Sequence, residues 1–438
     1  MKSIELFKKI FRLKYAPILV LFISGTISLI SCEKDNTDEP ISEEPVTEEP
    51  FDNPQYNIEQ AVSDEAQRKT ISFDALGFMT GNLGAQTFLP PGKVADYCGF
   101  QYFRDNDQTN MGHNTSFVPI IALNILNILT DTQIDMFVDA ANDQIDLINE
   151  YADKRFPLCK AFRRLLEGDL PEGTSGLDLD AVKSFSSDLY KIDGEISYGR
   201  AKLFGQVISS LSEDQKAQIE ALKDLNGIGN WPSEDGLTDP TMDMGLEKDV
   251  HVAVMTYASE IYTWYVGSVT GDTYFCPERQ GTYFGSFYLK DWPAMVGGPN
   301  YTIDEALTGN AGQYFLDVLN QQQYDLISSL VDLQREALYN LVDTREEIST
   351  ELRKFLAGNT ADETLIQTLS EEYGSYDGEI VYLYAMYFSQ VFQSLSDDQK
   401  NQLTGLADDL DYTDPPGAFR YSEPIPMPEI ENTDFLFR

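Results

Sequence analysis

The sequence predicts an all-α protein, a helical bundle built from two tandem repeats related by a pseudo-two-fold axis. Three observations carry the prediction. First, the chain repeats itself. Ile192-Asp193-Gly194-Glu195-Ile196 through Leu211-Ser212-Glu213-Asp214-Gln215-Lys216 returns, 184 residues later and without a gap, as Tyr376-Asp377-Gly378-Glu379-Ile380 through Leu395-Ser396-Asp397-Asp398-Gln399-Lys400. Second, apolar residues in both copies recur at three- and four-residue steps, the stripe of a helix with one face in a core. Third, no clear alternation of apolar and polar residues, the mark of a half-buried strand, interrupts those stripes.

Residues 1–31 stand apart from the bundle. Lys2, Lys8, Lys9, Arg12 and Lys14 precede an apolar run from Pro17 to Ile30, and Leu29-Ile30-Ser31 leads into Cys32. The run is fourteen residues long, short of the roughly 20 that span a bilayer, and the pattern is that of a signal peptide. With a small residue directly before Cys32 it resembles the bacterial lipobox. That resemblance implies lipidation of Cys32 and attachment to a membrane through the lipid. Residues 32–56 follow as an acidic Pro/Glu-rich tether, too polar to bury a core and self-repelling. Its first residues, Glu33-Lys34-Asp35-Asn36-Thr37-Asp38-Glu39, resemble the surface-export signal of Bacteroidetes lipoproteins, which implies an outer-membrane lipoprotein exposed on the cell surface.

Residues 57–240 make the first repeat and 241–412 the second, with about five helices each. Stripes in the first cover Ile58–Phe78, Phe117–Leu129, Ile134–Leu166 and Val182–Val207. In the second they cover Val250–Val266, then Leu330 through Leu341 and Ile348 to Phe355, then Leu365 through Ile380 to Val391. Upstream of the ungapped match the offset is 190, as Arg155 and Arg345 mark it, so the first copy carries six extra residues in its Pro171–Gly176 loop. Residues 413–438 form a Pro-rich C-terminal tail.

A net charge of −41 over 438 residues argues against nucleic acid or an anionic lipid surface as partner. With Cys32 taken by lipid, Cys98, Cys159 and Cys276 remain. Cys98 and Cys276 occupy matching places, and a disulfide between them would staple the two copies near their axis. Cys159 lies on an apolar stripe, as a buried thiol does. The chain has no CxxC, and no zinc-ribbon, thioredoxin or covalent haem reading follows.

One local signature occurs four times: Leu129-Thr130-Asp131-Thr132-Gln133, Leu211-Ser212-Glu213-Asp214-Gln215, Leu319-Asn320-Gln321-Gln322-Gln323 and Leu395-Ser396-Asp397-Asp398-Gln399. Capping accounts for it, since a Thr, Ser or Asn cap followed three residues later by Gln is a capping box. The segments also resemble the LTxxQ motif, found twice per chain in periplasmic stress chaperones of the Spy and CpxP type. That resemblance implies a fused version of a small, all-helical holder of unfolded clients.

Candidate site residues fall into two groups. Arg155 and Arg345 sit on the apolar stripes of their helices, and a guanidinium there needs carboxylate partners. Asp193 and Glu195, with Gln206, offer these in one copy; Asp377 and Glu379, with Gln390, offer them in the other. Each set could hold a cation or polar ligand, supply acid and base groups, or be a buried ion pair that fixes helix register. The second group lies in two aromatic loops, with Tyr102 and Arg104 in one and Arg279 and Tyr283 in the other, either plugs for the bundle or a groove for a ligand. Asp105 and Asp107 offer hard oxygen ligands for a divalent cation, without the complete calcium-loop pattern. His113 and His251 share no motif, and no cofactor motif is present.

Three functions fit these readings. The first is a non-enzymatic cell-envelope lipoprotein that binds a protein client or small ligand through its aromatic loops, chaperone-like in one version. The second is a helical-bundle metal-binding or hydrolytic enzyme using the interior Arg, Asp and Glu clusters, though the Glu-x-x-His of di-iron bundles is missing. The third is a structural component of an envelope complex.

Overall fold

A computed structural model describes residues 62–80, 117–223, 230–232, 236–267, 311–409, 418–420, 423–425 and 429–438, together with isolated positions between them. Among these residues the protein is all-α, apart from one short hairpin. The expectations placed on Cys32, Cys98, Tyr102, Arg104, Asp105, Asp107, His113, Cys276, Arg279 and Tyr283 lie outside the described residues.

The helices in chain order are α1 (Asp64–Thr80), α2 (Phe117–Ile128), α3 (Asp131–Glu167), α4 (Leu179–Ser210), α5 (Glu213–Lys223), α6 (Lys248–Val266), α7 (Ala311–Val318), α8 (Gln321–Leu333), α9 (Arg335–Leu352), α10 (Glu363–Ser394) and α11 (Asp397–Asp409). Arg353–Ala357 and Asp434–Leu436 are single 3₁₀ turns, and Ala418–Arg420 pairs antiparallel with Glu423–Ile425.

Local chemistry sets the helix ends. At α3, the Thr130 hydroxyl accepts from the Gln133 amide while Gln133 Oε1 accepts from the Thr130 N–H, and Gly168 at φ +76° closes the far end. Only glycine takes that left-handed turn without strain. Asp178 and Asp362 cap α4 and α10, each accepting from the amide three residues on at 3.1 Å. Both helices run 32 residues, and the next residues, Leu211 and Leu395, end them in extended backbone.

α4 and α10 lie against each other at the centre of the body, and small residues let them approach closely. A Cβ on Gly374 would stand 2.6 Å from the Ser186 carbonyl oxygen, so glycine is required there. Gly378 faces the Ser186 side chain, and Gly194 faces Ser370. Around this pair one continuous core runs through Ile148, Phe162, Phe204, Val207, Ile348, Phe388 and Val391, all inaccessible to solvent.

The packing crosses the boundary placed at residue 240. α1 packs on α7, α8, α10 and α11, whereas α6 packs on α2, α3, α4 and α5. The first helix of each sequence repeat is thus lodged among the helices of the other. The linear pattern cannot reveal this, because an apolar stripe says that a helix must be covered but not by which neighbour.

Candidate functional site

Arg155 on α3, Asp193 on α4, Arg345 on α9 and Asp377 on α10 are all at 0% exposure. α3 and α9 each carry a guanidinium, α4 and α10 each a carboxylate, and α10 packs against the other three helices. Two guanidiniums and two carboxyl groups are thus withdrawn from water on adjoining helices, and buried charge of this kind is tolerated where opposite signs and hydrogen bonds compensate it. Three buried tyrosines join them. Tyr190 donates its hydroxyl to Asp377 Oδ2 at 3.1 Å, and its ring lies 5.2 Å from Tyr373 and 6.4 Å, edge-on, from Tyr151.

The remaining members of those candidate sets face elsewhere. Glu195, Gln206 and Gln390 are exposed, and Glu379 is half-buried and ion-paired with Lys183 at 2.5 Å. Helix geometry explains the difference. At about 100° per residue, Glu195 lies about 200° and Gln206 about 220° around α4 from Asp193. A helix that buries Asp193 therefore turns both outward, and α10 repeats the arrangement for Glu379 and Gln390.

A second polar cluster lies beside the first. Arg200 Nη1 on α4 reaches both oxygens of Glu260 on α6, at 3.0 and 2.7 Å, with 1% and 6% of the two side chains exposed. The guanidinium stacks 4.9 Å over the Tyr257 ring, whose hydroxyl donates to Gln144 Oε1 at 2.7 Å. Burial pushes the Tyr257 phenol up to about 12, although Arg200 opposes the shift. At the matching place in the other half the partners are neutral: Tyr384 donates to Gln334 Oε1 at 2.6 Å, and Gln334 Nε2 donates to Gln67 Oε1 at 2.8 Å. No sequence expectation included Arg200 or Glu260. The rule that found Arg345 applies to both, for Arg200 continues the buried stripe of Asp193 and Glu260 sits between Tyr257 and Trp264 on the apolar stripe of α6.

The four Leu-x-x-x-Gln segments meet in two pairs. Gln215 Nε2 donates to Gln133 Oε1 at 2.8 Å and to the Ile128 carbonyl at 2.8 Å, while Gln133 Nε2 donates to Ser210 Oγ at 2.9 Å. Gln399 Nε2 likewise donates to Gln323 Oε1 at 2.7 Å and to the Val318 carbonyl at 2.9 Å, while Gln323 Nε2 donates to Ser394 Oγ at 3.1 Å. Each glutamine caps its own helix and crosslinks the start of a second one. These are joints of the frame.

One titratable pair lies nearer the surface. Asp239 accepts from Thr241 Oγ1 at 2.6 Å and from the Thr241 amide at 2.8 Å, with His251 Nε2 at 2.9 Å from its other oxygen. Partial burial pushes the Asp239 carboxyl up, but these hydrogen bonds outweigh it and hold the group below its ordinary value. The contact ties the 238–241 turn to α6, and Asn127 Nδ2 holds the same turn to α2 through the Thr238 carbonyl at 2.9 Å. Cys159 is buried on α3.

No protein-family model, curated protein or solved structure matches the chain. Among the described residues, no three His, Cys, Asp or Glu side chains come together as metal ligands. Nor is any described helix long and apolar enough to cross a membrane.

Proposed function

We propose that this chain is a lipid-anchored cell-envelope protein that works by binding, carrying recognition loops on a rigid two-copy helical frame, with holding of unfolded protein as its chaperone-like form. One observation carries the reading: Arg155, Asp193, Arg345 and Asp377, the matched charges on the apolar faces of their helices, are all at 0% exposure. A substrate cannot reach groups sealed in a core, so they serve the frame, and recognition falls to surfaces and loops. The aromatic loops with Tyr102, Arg104, Arg279 and Tyr283 are the proposed contact. Cys32 and the acidic tether supply the anchor and the stand-off, and outer-membrane attachment facing outward belongs to the same proposal.

A pseudo-two-fold axis between α4 and α10 completes it. Ser187 Oγ donates to the Glu371 carbonyl at 2.9 Å, and positions 187 and 371 match at the 184-residue offset. Equivalent positions touch only near an axis. The reciprocal approach of Gly194 to Ser370 and Gly378 to Ser186 supports the same axis.

Two measurements test the reading. Cys32→Ala should move the protein from the membrane fraction to the soluble one, and retention on the membrane would sink the anchor. The purified chain should suppress aggregation of a denatured client at near-stoichiometric amounts, less so after Tyr102 and Tyr283 are replaced by Ser. A metal found at stoichiometry in the purified chain, with hydrolytic activity dependent on it, would overturn the binding reading in favour of the enzyme.

A further inference from the structure

The segment Glu429–Arg438 is held as a guest on the first half of the body, with a 3₁₀ turn at Asp434–Leu436 and a strand-like end at Phe437. Its main chain pairs with the 175–178 loop. The Asp178 amide donates to the Leu436 carbonyl at 2.8 Å, the Arg438 amide donates to the Gly176 carbonyl at 3.0 Å, and the Ser175 amide donates to the Arg438 carbonyl at 2.6 Å. Leu177 and Phe437 form an antiparallel bridge. Side chains add selectivity. Arg164 on α3 donates to Asp434 Oδ1 at 2.8 Å and Thr433 Oγ1 at 3.0 Å, and its guanidinium lies 5.0 Å over the Phe437 ring. Lys160 Nζ donates to the Ile430 carbonyl at 2.7 Å. Leu436 is at 0% exposure, and the Phe435 ring lies 6.0 Å from Phe185 on α4.

The acceptor is a local addition to the repeat. The loop receiving the segment contains Pro171–Gly176, the six residues that the first copy has and the second lacks. At the matching place in the second half, Gly358 to Asp362 turns directly from the 3₁₀ end of α9 into α10. The charges are complementary: Arg164 pairs with Asp434 as well as with Asp169 of its own body, and Lys160 donates to the Ile430 and Glu431 carbonyls in a segment that also carries Glu429 and Glu431. Two cations side by side in a chain of net charge −41 suit an acidic guest.

We propose that Lys160, Arg164, the 175–178 loop, Leu177 and Phe185 form a strand-acceptor site for an acidic–aromatic segment, and that the site takes this segment from a second copy of the chain as well as from its own. The bonds are those of β-strand addition, in which main-chain pairing gives affinity and a few pockets give selectivity. A second copy presents the same atoms in the same order. Nineteen residues separate Asp409 from Glu429, a length of chain that lets the guest come from a different body than the one that carries α11, and Ala418–Arg420 within it also packs on α3. Exchange of such an element is a low-cost route to association, with effective concentration setting the balance between own and foreign guest.

Charge reversal tests this with full-length chains. In Arg164→Glu the acceptor repels the native segment, and in Asp434→Arg the segment repels the native acceptor. Mixed together, each variant's acceptor suits the other's segment. The mixture should run as a one-to-one complex of twice the monomer mass by light scattering, each variant alone as a monomer, and the double variant Arg164→Glu/Asp434→Arg as a monomer again. A mixture that stays monomeric at about a hundredfold the concentration at which a peptide of residues 429–438 binds would overturn exchange. That peptide, fluorescently labelled, should bind the Asp434→Arg chain, and at least tenfold more weakly once Lys160→Glu is added. Should Arg164→Glu fail to fold by circular dichroism, a Leu436→Asp chain serves as the empty acceptor, and no peptide binding to it would overturn the site itself.

Discussion

Arg200 and Glu260 show what a buried charge does to stability. Removing one partner strands the other in the core, so Arg200→Met or Glu260→Leu alone should cost about 3–5 kcal/mol. Replacing both with these apolar residues should cost far less, and urea unfolding of the two single variants and the double variant measures the coupling directly. Asp239 gives a pH signature. Its carboxyl sits below its ordinary value, so it binds protons more weakly folded than unfolded. Its contribution is therefore complete above about pH 4 and is lost as pH falls through the lowered value. Fluorescence of Trp231, packed edge-on 4.9 Å from Tyr262, should report an acid loosening of this region that Asp239→Asn abolishes. At this scale the candidate site was half legible. Arg155 and Arg345 betray themselves as charges on apolar stripes, and Asp193 and Asp377 as acids repeated at the 184-residue offset. Glu195, Gln206 and Gln390 mislead because proximity in sequence is not proximity around a helix. Arg200 and Glu260 obey the same rule as Arg345 but stand in no repeated pair, since the position that matches Arg200 at the 184-residue offset is the neutral Tyr384, which bonds Gln334 and through it Gln67 of α1.

At the level of elements, the packing of α4 on α10 rests on missing side chains. Gly374→Ala would press a methyl against a main-chain carbonyl that cannot swing aside, so it should lower stability by about 1–3 kcal/mol. Gly405→Ala on α11, where a Cβ would meet nothing within 4 Å, should instead raise it by up to about 1 kcal/mol. Thermal melts of the pair separate close approach from helix propensity. The helices themselves were legible because stripes and caps are local, and the four Leu-x-x-x-Gln segments are helix starts as capping chemistry requires. Docking of residues 429–438 was not. Its partners Lys160, Arg164, Leu177 and Phe185 come from two helices and a loop, and they share one surface only after those elements have folded together.

For the whole molecule, the duplication was legible but the exchange of α1 and α6 was not, because a repeat read along the chain suggests two self-contained bundles. Residues 57–240 and 241–412 expressed as separate fragments should each be poorly structured. Mixed, they should recover helicity and run as a one-to-one complex, as circular dichroism and gel filtration would show. Two fragments that fold independently would contradict the interlocked packing. The exchange also governs the order in which the chain can become stable. During synthesis α1, complete by residue 80, meets Arg163 of α3 through the Phe78 carbonyl and ring, but the helices it packs along, α7, α8, α10 and α11, begin only at residue 311, and α2 to α5 wait for α6. Neither half can lock before the other arrives, so the chain stays open for most of its own translation and then closes in a step dominated by contacts distant in sequence.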